Sequence, residues 1–336
     1  MNRLSFLQKA ASGLLGIGWL SELRKHTQTD KWITDRHESF TVSGNHVTFY
    51  VDNIERPVKV IFASDTHLWR DDERGDPYRK YSDRMAKAYN ETTHFETGEL
   101  TNPEECFENI IQYTQEVDAD LLALPGDLVS WPSEAAIEWA YDKLEQSGVS
   151  YAYTAGNHDW HYEGMEGSLE DLRSEWIERR LLPLYQGKNP MMASYEIGGI
   201  RFLTIDDSTY QISDEQLAFY RDQTKDGTPT VLMMHIPLYA PGRSVGYGVG
   251  NPEWGAATDR NYELERRPRW PESGHTQTTM DFHDEVFNTP NLLGVFAGHI
   301  HRSTMESING IPQFVSDDNA SGGYMEIDFQ PADSTN

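Results

Sequence analysis

From Phe40 onward, short apolar runs rich in Val, Ile and Leu alternate with longer amphipathic segments, and this alternation constrains the fold more than any other feature of the chain. Apolar runs of strand length separated by helix-length segments are the pattern of an α/β protein, whose buried strands are covered by the intervening helices. Strands are expected near Val58 to Ser64, Asp120 to Leu124, Ser150 to Thr154, Ile200 to Ile205, Thr230 to Met234 and Leu292 to Ala297. Phe40 to Val51 reads as a hairpin turning at Gly44-Asn45. After His301 the chain returns to short strands, Met305 to Ile308 and Tyr324 to Phe329. Helices are expected over Pro103 to Glu116, Ser133 to Gln146 and Ser213 to Arg221, each opening on a capping or first-turn residue followed by acidic residues.

Two stretches escape the alternation. Leu68 to Asn102 is charged and aromatic, and Ile236 to His275 is rich in Gly, Pro, Trp and Arg. Both read as functional loops, about 68–102 and 236–275, inserted in a single domain spanning residues 39–330. Ahead of it, residues 1–38 admit two readings. Ala10 to Leu20 is an apolar run of signal-peptide length behind Arg3 and Lys9, too short to be a stable transmembrane anchor and without a small-x-small cleavage site. Asn2 to Leu7 is similar to a twin-arginine signal with Leu4 in place of the second arginine. The alternative is an amphipathic first helix with Leu4, Leu7, Ala11, Leu14 and Leu15 on one face, so export and retention both stay open.

Charge and cysteine content narrow the function. A formal charge of −26 disfavours nucleic acid and anionic lipid, which are themselves dense in negative charge, and points to a small substrate. Cys106 is the only cysteine, which excludes an intrachain disulfide and a thiolate-rich zinc site. Any metal must therefore be held by oxygen and imidazole.

Five short blocks sit where expected strands end: Asp65-Thr66-His67, Gly126-Asp127, Gly156-Asn157-His158-Asp159, His235, and Gly298-His299-Ile300-His301. In α/β sheets the carboxyl ends of the strands face one crevice, so groups distant in sequence converge there. Residues i and i+2 of an extended segment point to the same side, which would let Asp65 and His67 grip one ion. His299 and His301 would then each reach a different ion.

The order D-x-H, G-D, G-N-H-D, H, G-H-x-H, running here from Asp65 to His301, resembles the signature of calcineurin-like metallophosphoesterases. The resemblance implies an α-β-β-α sandwich of two mixed sheets with a dinuclear metal site at the strand ends. It implies that Asp65, His67 and His301 hold one metal, that Asn157, His235 and His299 hold the other, and that Asp127 bridges them. The implied activity is hydrolysis of a small phosphodiester or phosphomonoester, with metal-bound hydroxide attacking phosphorus; two ions about 3.5 to 4 Å apart supply the hydroxide at neutral pH. Mn, Fe or Zn, divalent or mixed-valence, suits a histidine-rich site better than Mg. Two such ions set against Asp65, Asp127 and a hydroxide leave a small positive surplus for phosphate, which the neutral Asn157 does not cancel.

His158 is expected to assist the leaving group, with Asp159 or a backbone carbonyl fixing its tautomer. Asp159 is a candidate catalytic residue and equally a cap for the following turn. His161 reads as solvated, and Asp206 and Asp207, at another strand end, as structural. Ser130 stands three residues after Asp127, where purple acid phosphatases place a tyrosine ligand, so a tyrosinate-ferric enzyme is not expected. The protein serine/threonine phosphatase pattern G-D-x-V-D-R-G is likewise absent. The full motif string also matches cyclic-nucleotide phosphodiesterases of this superfamily, but relatives acting on other esters share it.

Substrate choice is assigned to the loop after His235. There Arg243, Arg260, Arg266, Arg267 and Arg269 lie among Tyr247, Trp254, Tyr262 and Trp270. Its acidic residues would pair most of these arginines, leaving one or two for substrate; Arg243, with Asn157, is the candidate substrate contact. Two competing readings are a catalytically silent scaffold of the same fold, opposed by the complete ligand set, and a nuclease, opposed by the overall charge.

Overall fold

The computed structural model describes residues 39–88, 93–243, 248–252 and 274–332. The segment 1–38 and the loop residues Tyr247, Trp254, Arg260, Tyr262, Arg266, Arg267, Arg269 and Trp270 lie outside that range. Twelve strands form two six-stranded sheets. The first sheet holds β1 (Ser39–Ser43), β2 (His46–Val51), β3 (Val58–Phe62), β4 (Leu121–Pro125), β5 (Tyr151–Thr154) and β12 (Met325–Pro331), in the order β1-β2-β12-β3-β4-β5. The second holds β6 (Met192–Ile197), β7 (Ile200–Ile205), β8 (Thr230–Met233), β9 (Leu292–Ala297), β10 (Thr304–Ile308) and β11 (Ile311–Val315), in the order β10-β11-β9-β8-β7-β6. Both sheets are mixed: β3, β4 and β5 run parallel, as do β7, β8, β9 and β11, and the remaining neighbours include antiparallel pairs.

Side-chain alternation along the strands sorts the interior into three apolar layers. Val60 and Phe62 of β3 join Phe202, Val231, Phe296 and Phe314 of the second sheet in a core between the sheets, while Ile61 and Ala63 face the other way. Phe62 and Phe296 meet across this layer with ring centroids 5.8 Å apart, and Phe202 and Phe329 at 5.6 Å. Burial of each such ring is worth about 1.5–3 kcal/mol.

The outer face of the first sheet is covered by α2 (Pro103–Glu116), α3 (Glu134–Ser147) and α4 (Leu169–Trp176). That of the second is covered by α5 (Asp214–Thr224) and α6 (Gln277–Val286) through Leu217, Tyr220, Phe282 and Val286. The helix starts are capped as their sequences require. Asn102 Oδ1 accepts the Glu105 N–H at 3.0 Å, and Ser213 and Gln216 form a reciprocal capping box.

The stretch from Leu68 to Asn102 departs from the irregular loop expected of it. It contains a 3₁₀ turn, Glu73–Tyr78, running into helix α1 (Arg79–Ala88), whose Ser82 and Met85 are buried. Tyr78 stacks on Tyr162 at 5.0 Å and meets Trp176 edge-on at 5.2 Å, so aromatic contacts seat this helix start on the first sheet's outer layer. Strands β6 and β11 and helices α4 and α6 are further elements that the apolar pattern did not signal. No helix among the described residues is long and apolar enough to cross a membrane.

Candidate metal centre

The parallel strands deliver the five sequence blocks to one place. Asp65 and His67 follow β3, Asp127 follows β4, Asn157 and His158 follow β5, His235 follows β8, and His299 and His301 follow β9. The first sheet thus supplies the two carboxylates, Asn157 and two histidines, and the second supplies three histidines. Two groups of ligand-type atoms result: Asp65, His67 and His301, and Asp127, His235 and His299, with all atoms of each group within 4.8 Å of one another.

Within the first group, His67 Nε2 lies 3.0 Å from His301 Nε2, and Asp65 Oδ1 lies 3.2 Å from His301 Nε2. Within the second, His235 Nε2 lies 3.2 Å from His299 Nδ1 and 3.1 Å from Asp127 Oδ2. The same Asp127 Oδ2 stands 3.9 Å from His67 Nε2, so this one oxygen faces both groups.

Asp65 and His67 reach one pocket by a different route from the extended segment the spacing suggested. Both have left-handed backbone, with φ of 59° and 51°, as do Asp127 (50°), His299 (70°) and His301 (48°). Each non-glycine residue held there costs about 1–3 kcal/mol, which the surrounding hydrogen bonds must offset. Those bonds are present. His67 N–H donates to Asp127 O at 2.9 Å, Asp65 N–H to Gly126 O at 3.1 Å, and Ser130 Oγ to His67 O at 2.8 Å. Ser130 is therefore spent on the His67 backbone.

The surrounding groups orient each ligand. His235 Nδ1 donates to the Pro125 carbonyl at 2.9 Å, which leaves Nε2 to face Asp127. His299 presents Nδ1 to the cluster while its Nε2 meets the Tyr210 hydroxyl at 2.5 Å. Tyr210 is fully buried and itself left-handed (φ 62°); nothing in its sequence neighbourhood marked it. Asp65 Oδ2 accepts Ser64 Oγ–H and the His299 N–H, both at 2.7 Å. The glycines of the blocks permit this approach: a Cβ on Gly298 would sit 2.3 Å from Asp65 Oδ2, and one on Gly156 would sit 2.4 Å from the Asp127 nitrogen.

The remaining candidates divide. His158 is brought to the cluster: its N–H donates to Asp127 Oδ1 at 2.7 Å, and its ring stands edge-on to His67 with centroids 5.0 Å apart. The carbonyl of Ser130 fixes its tautomer, accepting from Nδ1 at 3.0 Å. Asp159 makes no such contact. Its two oxygens accept the Val129 N–H at 2.9 Å and the Gly156 N–H at 2.8 Å, so its described bonds clip the β4 and β5 loops together. Asn157 is buried beside His158. His161 is buried against Trp160, with ring centroids 5.7 Å apart, and is not the solvated residue its polar surroundings suggested.

Asp207 Oδ1 accepts the N–H groups of His235 and Ile236 at 3.2 and 3.1 Å, and Asp206 binds Ser208 and Arg173. Both are the structural residues expected. Arg243, the candidate substrate contact, is buried and held by protein groups. Its guanidinium donates to the Leu238 carbonyl and stands 3.4 Å from Glu306 of β10.

Electrostatics separate the imidazoles. Burial opposes charge on His235, but Asp127 and Asp65 outweigh it and raise the group to about 10. His301 is raised to about 9 in the same way, by Asp65 against burial. His67 is pushed down to about 4, chiefly by burial. Burial also works against the charge of Asp65, yet the neighbouring imidazoles of His301 and His235 hold it below the ordinary carboxylate range.

The residues fit a pair of cations. Asp65 Oδ1 is buried with no hydrogen-bond donor, and ring nitrogens are turned toward one another in both groups. Donor atoms so gathered call for a shared positive charge, a proton or a metal cation, and nitrogen with carboxylate oxygen is a donor set for transition metals. A third group, His46, Glu326 and Asp328, is of another kind. There Lys59 pairs with both acids, and the Tyr113 hydroxyl donates to Glu326 at 2.6 Å, so protein groups already neutralise it.

Two mixed sheets with a buried His/Asp pocket at their parallel strand ends define a metallophosphoesterase architecture. The family model described as calcineurin-like phosphoesterase matches residues 58–303, and the chain belongs to that family. A protein of Psychrobacter sp. (strain PRwf-1), named as a probable cyclic nucleotide phosphodiesterase, is 26% identical over 207 residues. That match takes in 59% of this chain and 51% of the relative, so the chain spans about half the length of the curated protein it matches. Among solved structures, a dimetal phosphatase from Danio rerio superposes with a TM-score of 0.51 at 10% identity, covering 80% of this chain and 91% of the other, a likeness of fold. A purple acid phosphatase from yellow lupin (Lupinus luteus) gives a TM-score of 0.46 at 14% identity, covering 82% and 46%.

Proposed function

We propose that this chain is a two-metal hydrolase of small phosphate esters, with residues 39–330 as its catalytic unit. The observation that carries the reading is Asp127 Oδ2, placed 3.1 Å from His235 and 3.9 Å from His67, where one oxygen serves both ligand groups. Asp65, His67 and His301 would hold one ion, Asn157, His235 and His299 the other. Manganese, iron or zinc suits these imidazole-rich sets. When bound, two such ions supply a hydroxide nucleophile at neutral pH and positive charge for the phosphate oxygens.

The chain's own groups then position and protonate. His158 donates through Nδ1 to the Ser130 carbonyl, which leaves Nε2 as the atom that would deliver a proton to the departing oxygen. Asp159 acts through the backbone, holding the loop on which Asn157 and His158 ride. The relative's name favours a diester, and a nucleotide-type diester is the substrate class to test first.

The test is hydrolysis of chromogenic mono- and diesters with each metal, comparing wild type with His158→Asn. Metal-dependent turnover that falls about 10²–10⁴-fold in the variant supports the scheme. A wild-type protein that binds two ions yet turns over no ester refutes it.

A further inference from the structure

Among the described residues, one arginine breaks the pairing rule that the others obey. Arg56, Arg70, Arg74, Arg79, Arg84, Arg173, Arg179, Arg180, Arg201, Arg221 and Arg243 each have a carboxylate within 3.8 Å. Arg302 is exposed and has neither an ion pair nor a hydrogen bond among the described residues. In a chain with 54 acidic residues against 28 basic ones, an arginine without an acid beside it is the exception.

Its position gives the exception a use. Arg302 directly follows His301, whose side chain is 31% exposed where the other cluster residues are almost wholly buried, so the metal centre opens to solvent here. The acids of the neighbouring loop are engaged by backbone donors: Asp317 Oδ1 accepts the Ser303 N–H at 2.9 Å, and Asp318 Oδ2 accepts the Ser321 N–H at 3.0 Å. An exposed guanidinium spared from internal pairing, one residue from the solvent-facing His301 of the proposed phosphate site, is suited to a bidentate contact with an anion from outside.

We propose that Arg302 is a specificity-determining residue that binds a second anionic group of the substrate, a carboxylate or phosphate beyond the phosphate under attack. This rests on the phosphoesterase reading above. It directs the enzyme toward esters whose alcohol part carries its own negative charge.

The experiment compares, in the metal-loaded protein, phenyl p-nitrophenyl phosphate with its 4-carboxyphenyl analogue. The ratio of kcat/KM for the carboxylated over the plain ester is expected to fall about tenfold in Arg302→Ala, the effect of one charge-assisted contact, and to recover in part in Arg302→Lys. Arg221→Ala, which removes a guanidinium paired with Glu285 on the outer helices, is the control and should leave the ratio as it is. Calorimetric binding of methylenediphosphonate and of inorganic phosphate supplies the phosphate arm, with the diphosphonate alone expected to lose about tenfold in affinity in Arg302→Ala. A ratio and a diphosphonate affinity that Arg302→Ala leaves at wild-type values overturn the assignment. If wild type hydrolyses neither ester, the phosphoesterase reading fails separately, and the calorimetric comparison still decides whether Arg302 binds the second anion.

Discussion

The Asp65 carboxylate accepts the His299 N–H through one oxygen, 2.7 Å away, and points the other at His301, 3.2 Å away. One side chain of the first sheet thereby fixes the backbone of one ligand and shares a pocket with the side chain of another, both from the second sheet. The metal centre is built by such double uses, and each can be tested by removing one half.

Tyr210 reaches the centre through His299, whose Nε2 it meets at 2.5 Å. Tyr210→Phe keeps the ring and removes the hydroxyl that orients the imidazole. Affinity for one of the two metals should fall about 10–100-fold, with the other affinity changed far less, in a titration that resolves two sites. Equal loss at both sites, or at neither, would contradict the role.

Gly156 and Gly44 form a contrasting pair. A Cβ at Gly156 would lie 2.2 Å from Asp127 Oδ1 and 2.4 Å from its backbone nitrogen, whereas at Gly44 (φ 62°) it would meet nothing within 4 Å. Gly156→Ala should cost about 2–4 kcal/mol in urea unfolding and reduce metal uptake, because the β4 loop must shift. Gly44→Ala should cost about 1 kcal/mol, from backbone strain alone, with metal uptake retained.

Metal binding should release protons. Despite burial, Asp127 and Asp65 raise His235 to about 10, and Asp65 raises His301 to about 9, so both imidazoles are charged in the metal-free protein at pH 7.5 or so. A metal needs them neutral, so apparent affinity should climb with pH until it levels near 9 to 10. Calorimetry in buffers of differing ionisation heat measures the protons directly. The same groups, raised in the folded state, stabilise the metal-free fold fully below their ordinary value of about 6.5, and that contribution is lost as pH rises through 9 to 10.

As the proposed ligand of the second ion, Asn157 would offer a neutral oxygen where a carboxylate would cancel the charge surplus left for phosphate. Asn157→Asp should tighten the second metal while weakening phosphate binding, each measured by equilibrium titration. A variant with higher phosphate affinity would be evidence against the charge argument.

The sequence made the chemistry legible before the scaffold. The blocks around Asp65, Asp127, Asn157, His235 and His299 stood out because glycine, histidine and acid at strand ends are rare together. Strands such as Ile200–Ile205 and Leu292–Ala297 agree to the residue because they are unbroken apolar runs. Strand β11 was hidden by Pro312, which sits inside a strand flanked on both sides. Helices α4 and α6 bury few apolar side chains, so their period was faint. The caps Ser168 and Thr276 were the available signals, and Ser168 with Asp171 three residues on is a helix-start pattern. Tyr210 left no trace because its role is set by a partner 89 positions away. Arg243 drew a functional reading because it follows His235 closely, whereas its contacts with Leu238 and Glu306 are tertiary and leave no sequence signal.

Neither sheet owns a full ligand set. On the proposed two-metal reading, an ion beside Asp65 and His67 would need His301 from the opposite sheet, and an ion beside His235 and His299 would need Asp127 in return. A half-folded chain, or a fragment carrying one sheet, therefore has nowhere to seat either cation. Loading must wait until the two halves have closed on each other, which makes cation uptake a reporter of finished assembly.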